Sequence, residues 1–431
     1  MQKKLLPACM IGTIFEFLDY TLYGFAIPVL ATRFFPFTKT LTAQIILWCI
    51  FSISFVVRPI GAFLFGRYGD RISRWKTLKL TIILMSLSTA FLGIIPGFSQ
   101  IGMLSPLLLI LCRIMQGLAI SAEYSGSSIY LAETYLEKKG KYSSIIACGS
   151  GLGVFTAISL ALMIEHIPVL NISTLWSITF ILTGCIAGII GYYLRRRMPE
   201  AEAFQYIKTH DLISHSSVFQ KVKQNWQNFI LTMVLSAFVC TAWYIFMVYL
   251  ANYLQETLFL PRNFALLITA IAVLVEAGFT LFFGRMSDRW GRRKMFLISS
   301  HLVVLFAIPS FLLMSVPNLF YIVFILLFLA ILLASVDGIL PGLLADINPI
   351  ASRYSMVSLG YNIGGALLGG LAPAIMAFLL SVFKFSWIPG AYITLFAVLA
   401  IVSLRYFGTS EISATEEKRG LMVGTHAHNI S

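Results

Sequence analysis

Charge is scarce in this sequence. Asp, Glu, Lys and Arg make up 11% of its 431 residues, against about a quarter in soluble domains, and 58% of the residues are hydrophobic. So few polar side chains cannot cover a globular surface of this size, so a lipid bilayer must be the solvent. Cysteine is scarce too. Cys9, Cys49, Cys112, Cys148, Cys185 and Cys240 fall in apolar runs without C-x-x-C spacing. That pattern argues against disulfides and metal clusters and for small packing residues. No G-x-x-x-x-G-K-[S/T] loop occurs, and no constellation supports hydrolytic or redox catalysis. No cofactor or metal is expected, and the chain does not read as an enzyme.

What the sequence has in abundance is long apolar runs. A bilayer core about 30 Å thick needs about twenty helical residues. Runs of that length lie at roughly 8–32, 41–66, 77–97, 103–129, 142–166 and 174–195, then at 227–254, 263–284, 295–315, 318–341, 354–381 and 387–407. Twelve spans are expected. The first contains Glu16 and Asp19 and no small-x-small cleavage site, so it reads as a helix rather than a signal peptide. Lys and Arg favour the loops on one side by about six to one, which places both termini in the cytoplasm. The formal net charge of +13 is therefore topology, with some attraction to anionic lipid, and nucleic acid is not an expected partner.

The chain divides into two halves. Residues 196–226 break the apolar pattern with Arg196 and Arg197 (following Arg195), Pro199 and several acids, and read as a cytoplasmic linker; residues 408–431 read as a short tail. Gly66, Asp70, Arg71 and Arg74 follow the second span, and Gly284, Asp288, Arg289, Gly291 and Arg292 follow the eighth at matching spacing. Glu123 and Glu133 around the fourth span are echoed by Asp337 and Asp346 around the tenth. Such a repeat implies an all-α integral membrane fold, two pseudo-symmetric six-helix bundles (1–195 and 227–407) with a site between them near the midplane.

With these loops the chain resembles the major facilitator superfamily, whose signature is G-x-x-x-D-R-x-G-R-R/K. The second copy is complete; the first has Ser73 in place of the later glycine, which is expected to loosen that turn. Within the superfamily it is similar to the metabolite:proton symporters, carriers of proline and betaine, 2-oxoglutarate, citrate and shikimate. The likeness rests on Phe15 to Phe25, on Arg58-Pro59-Ile60-Gly61, on Arg113 to Gly126 and on Ser358 to Gly365. It implies a monomeric, proton-coupled secondary transporter in a bacterial inner membrane, taking up a small organic acid or a zwitterionic osmolyte or amino acid. Lipid, protons and the small solute are the expected partners. The alternatives are a proton-coupled exporter, against which the fifth span lacks a G-P pair, and a nutrient sensor, for which the tail is short. That tail also lacks a coiled-coil heptad of the osmosensing kind.

Ionisable groups inside spans cost about 2.5–3.5 kcal/mol each and are functional candidates. Glu16 and Asp19 share a face of the first helix, so at least one is expected to keep its proton and serve coupling. Arg113, which with Gly117 matches the superfamily's R-x-x-x-G pattern tied to proton transfer, and Glu123 complete the expected coupling set. Arg58, Arg113, Tyr23, Trp243, Tyr244, Glu276 and Asn362 are the candidate substrate contacts, with Tyr249, Asn252 and Tyr253 further along the same aromatic run. An arginine fork suits a carboxylate, and aromatic faces suit an ammonium. Asp70 is expected at the start of the eleventh helix near Arg353, and Asp288 at the start of the fifth near Tyr142. Each would cap a helix N-terminus and hold one face closed. Glycine pairs such as Gly365 and Gly369 would let helices slide past each other.

Overall fold

The computed structural model describes residues 5–165, 171–210, 216–316 and 318–407. Lys3, Lys4, Asp211 and the tail from 408 onward lie outside the described residues. Twelve helices are long and apolar enough to cross a membrane: α1 Leu5–Phe34, α2 Thr42–Arg71, α3 Arg74–Ile94, α4 Leu104–Thr134, α5 Leu136–Ile164, α6 Ile172–Arg195, α7 Trp226–Glu256, α8 Arg262–Trp290, α9 Arg292–Met314, α10 Leu319–Ile347, α11 Arg353–Phe383 and α12 Ile388–Phe407.

Helix pairings repeat with a period of six. In the first half α1 packs on α5, α2 on α4 and α3 on α6; in the second α7 packs on α11, α8 on α10 and α9 on α12. The halves meet where α2 lies against α11 and α5 against α8. The exposed apolar residues sit on outer helix faces, for example Val56, Leu87, Ile189, Leu305 and Val402, as expected where lipid is the neighbour.

Four features depart from unbroken rods. Helix α4 breaks at Ser121–Ala122, and α10 breaks at Gly338–Ile339. Helix α7 contains a π-helical turn over Tyr244–Tyr249, and α11 another over Asn362–Gly369. Such turns re-aim side chains and concentrate at functional sites. All four irregularities lie in mid-helix, within the two bundles.

The signature segments are not loops. Gly66 to Arg71 is the last turn and a half of α2, and Gly284 to Trp290 ends α8. After them the copies diverge. Gly291 turns the chain with φ 88°, a conformation that favours glycine. Ser73 is extended instead, and its hydroxyl accepts from Lys76 N at 3.2 Å, capping α3. The substitution therefore does not loosen this turn; it exchanges a left-handed glycine for a capping serine.

The linker is partly helical, over Glu202–Thr209 and Val218–Gln224. Its buried face (Ala203, Phe204, Ile207, Val218 and Lys221) packs onto the same end of the molecule as the signature segments. That end is called the basic face below.

Candidate functional site

At the basic face each signature aspartate caps a helix of the opposite half. Asp70 accepts from Tyr354 N at 3.2 Å and Ser355 N at 3.1 Å, at the start of α11. Asp288 accepts from Gly140 N and Lys141 N, both at 2.8 Å, in the first turn of α5. The carboxylates thus sit at the partially positive ends of two helix dipoles. The signature glycines explain the close approach. A Cβ on Gly66 would come within 3.0 Å of Ser355 Cα, and one on Gly284 within 2.7 Å of Gly140 O.

Around each aspartate the repeat builds a quartet. Arg74 pairs with Asp70 at 2.6 Å and Glu133 at 3.1 Å, and Arg353 pairs with Glu133 at 3.5 Å. In the second copy Arg292 pairs with Asp288 at 2.6 Å and with Asp346, and Lys139 pairs with Asp346 at 3.3 Å. Arg71 reaches the linker, donating to Ser216 O at 3.3 Å, while Arg289 is exposed.

Inside the first half, Asp19 accepts from Thr89 Oγ1 at 2.8 Å and Gln116 Nε2 at 2.9 Å. Arg113 donates to Gln116 Oε1 at 2.8 Å and to Ser54 Oγ at 2.9 Å. Gln116 therefore bridges the acid and the guanidinium, and among the described residues no direct Asp19–Arg113 ion pair forms. The Tyr23 ring covers Arg113 at 4.3 Å, and Phe51 stands at 5.1 Å. The polar and ring contacts of Tyr23 stay within this half, so it supports Arg113 rather than lining the interface.

Glu16 does not share Asp19's surroundings. It lies in electrostatic range of Arg58 of α2, in the same half, and its Oε2 has no hydrogen-bond partner. Arg58 donates to Tyr244 Oη at 3.4 Å and lies 4.4 Å over the Phe55 ring, with its Nε unpartnered. Aromatic rings from both halves enclose these charges. Trp243 stands 4.9 Å from Phe17 and 6.5 Å from Tyr20, Tyr244 lies 5.8 Å from Phe55, and Tyr124 stacks on Tyr361 at 4.9 Å. Trp243 and Tyr244 are buried here. Asn252, from the same run, is exposed, and Tyr253 donates to Ser386 O at 3.1 Å within its own half.

Two expected site residues are engaged elsewhere. Asn362 donates to Ser121 O at 2.6 Å and Ser358 O at 2.7 Å, strapping α11 to the break in α4, so its amide hydrogens do not face the aromatic site. Glu123 forms an ion pair with Arg195 and accepts from Thr81 at 2.9 Å. With Arg195 fully buried, these contacts tie Glu123 of α4 to α3 and α6. Arg195, which the sequence did not single out, is so enclosed that a Cβ on Gly12 would lie 2.9 Å from its Cζ. Glu276 lies at the interface but faces Asp337, not Arg58.

The major facilitator superfamily model matches residues 9–258 and 232–422. The proline/betaine transporter of Salmonella typhimurium is 30% identical over 422 residues, covering 93% of this chain and 82% of that protein. The glycine betaine/proline/ectoine/pipecolic acid transporter of Dickeya dadantii is also 30% identical, with the same coverage of each chain. Among solved structures, a proton:xylose symporter of the superfamily bound to 6-bromo-6-deoxy-D-glucose superimposes with TM-score 0.75 at 16% identity, over 94% of this chain and 95% of that one. At that identity the match speaks for the fold alone. Twelve spans among the described residues, the twofold repeat of helix pairings, the paired signature segments and these relatives together show that this chain is a multi-pass membrane transporter belonging to the major facilitator superfamily.

Proposed function

We propose that the protein takes up a small zwitterion, an amino acid or betaine-type osmolyte, together with protons, by alternating access. The observation that carries this reading is the interface site, where Arg58 and Glu16 each present an unpartnered buried polar atom inside an aromatic enclosure. The arginine offers a charged donor to a carboxylate. Glu16 and the ring faces of Trp243, Tyr20 and Tyr244 offer a counter-charge and cation–π surface to a secondary or quaternary ammonium. A di- or tricarboxylate would need a second cation beside Arg58, and both Nη groups of Arg113 are already held by Gln116 and Ser54, leaving only its Nε unpartnered. The relatives named above carry proline, betaines, ectoine or pipecolic acid, all of which join one carboxylate to one cationic nitrogen.

Asp19 is the coupling carboxylate in this reading, with Gln116 relaying its charge state to Arg113. The basic face is cytoplasmic, both termini lie there, and the membrane is a bacterial inner membrane. The bundles 1–195 and 227–407 rock about the site, and the paired aspartate caps hold the cytoplasmic face closed. One charge crossing the membrane supplies about 2.3 kcal/mol per 100 mV, enough for substantial accumulation.

The test is uptake into proteoliposomes under an inward proton gradient, with labelled proline, glycine betaine, 2-oxoglutarate, citrate and shikimate. Accumulation of proline or betaine, abolished by a protonophore and by Asp19→Asn, is expected. Accumulation of an organic acid instead would overturn the zwitterion assignment. Efflux alone would make the protein an exporter, and no movement in either direction would return the sensor reading.

A further inference from the structure

The 218-residue offset that takes Asp70 to Asp288 also takes Arg58 to Glu276. One half thus places a cation at this level of its second helix, and the other half an acid. Glu276 has no arginine or lysine for company. It lines a small buried cavity together with Asp337, the last residue of α10 before that helix breaks. Both are almost fully buried, at 1% and 5% exposure.

Three polar atoms without partners converge there: Glu276 Oε2, Asp337 Oδ2 and Trp243 Nε1. Their side chains line one cavity of about 10 Å³, a space for about one water, which needs two to four polar partners. The other titratable groups facing the pair are Tyr124 from α4, Cys148 from α5 and Cys240 from α7, none of them cationic. A Cβ on Gly151 of α5 would come within 3.4 Å of Glu276 Oε2, so the pair sits where the first half presses on α8.

Two buried carboxylates lining one small cavity without a cation cannot easily both be ionised. A metal ion does not fit either. Calcium takes six or more oxygens, and no group of three or more candidate ligands exists among the described residues. We propose that Glu276 and Asp337 form a second proton-binding site, sharing one proton beside a single water to which Trp243 donates, and that this proton is exchanged during transport. The exchange rests on the symport reading; the shared proton does not.

Infrared difference spectroscopy of the purified protein, taken between mildly acidic and alkaline pH without substrate, reads the proton directly. A protonated-carboxyl stretch that is present in the wild type and in Asp19→Asn, and lost in both Glu276→Gln and Asp337→Asn, is the expected result. A band unchanged in both variants overturns the site, whatever the protein transports; using two variants guards against one failing to fold. The proton-to-substrate ratio, from reversal potentials in proteoliposomes, tests the exchange. It should fall by one proton per substrate in either variant, and an unchanged ratio overturns the coupling role.

Discussion

The two quartets at the basic face are built from the same pattern and live in different solvents. Asp70, Arg74, Glu133 and Arg353 have fully buried side chains, whereas Arg292 is 19% and Asp346 28% exposed. The difference comes from the linker. Lys221 adds a fifth charge, 3.2 Å from Asp70; Glu200 accepts from Arg74 N at 2.9 Å; and Phe204 lies under the Arg74 guanidinium at 4.5 Å. No described segment covers the second quartet in the same way. A duplicated motif thus fixes which charges meet, and an unduplicated segment fixes what it costs to separate them, because a charge that loses its partner out of water has nothing to solvate it.

That asymmetry can be broken at graded cost. Arg74→Ala would leave Asp70 and Glu133 buried without their shared cation. A loss of about 3–5 kcal/mol is expected, seen as a lowered melting temperature in detergent together with lost transport. Gly284→Ala should come next. The added methyl meets the Gly140 carbonyl, so the halves cannot close at α5 and α8, and a spin-label distance across that contact should lengthen. Lys221→Met keeps the aliphatic stem and removes only the linker's charge from Asp70. It should cost about 1.5–3 kcal/mol of gate closure, the range for a hydrogen bond to a charged group, read as faster labelling of a cysteine placed behind the gate. Arg292→Ala should cost least, about 0–1 kcal/mol, and its effect should shrink in high salt while that of Lys221→Met does not. Equal effects of Arg74→Ala and Arg292→Ala would show that the linker does not set the strength of the gate.

Much of this was legible in the sequence because it is local. Run lengths gave twelve spans, and the spacing from Gly66 to Asp70 and from Gly284 to Asp288 gave the duplicated segments whose aspartates cap helices of the opposite half. What escaped depends on contacts between distant segments. Arg195 opens a run of three arginines and looks like a topology signal until Glu123, 72 residues earlier, is found beside it. Gln116 looks like one more motif letter, yet it is the bridge between Asp19 and Arg113. Asp337 showed only as an echo of Glu123, since nothing in the sequence brings it to Glu276. The helix breaks and π-helical turns were hidden because continuous apolar runs do not reveal where a ladder of hydrogen bonds shifts register.

The central claim, coupling of zwitterion entry to proton entry through Asp19, is tested most directly by the pH outside proteoliposomes or de-energised cells when proline or glycine betaine is added. The account predicts substrate-dependent alkalinisation of the medium, absent in Asp19→Asn. Acidification, or entry of substrate with no change in pH, would contradict it.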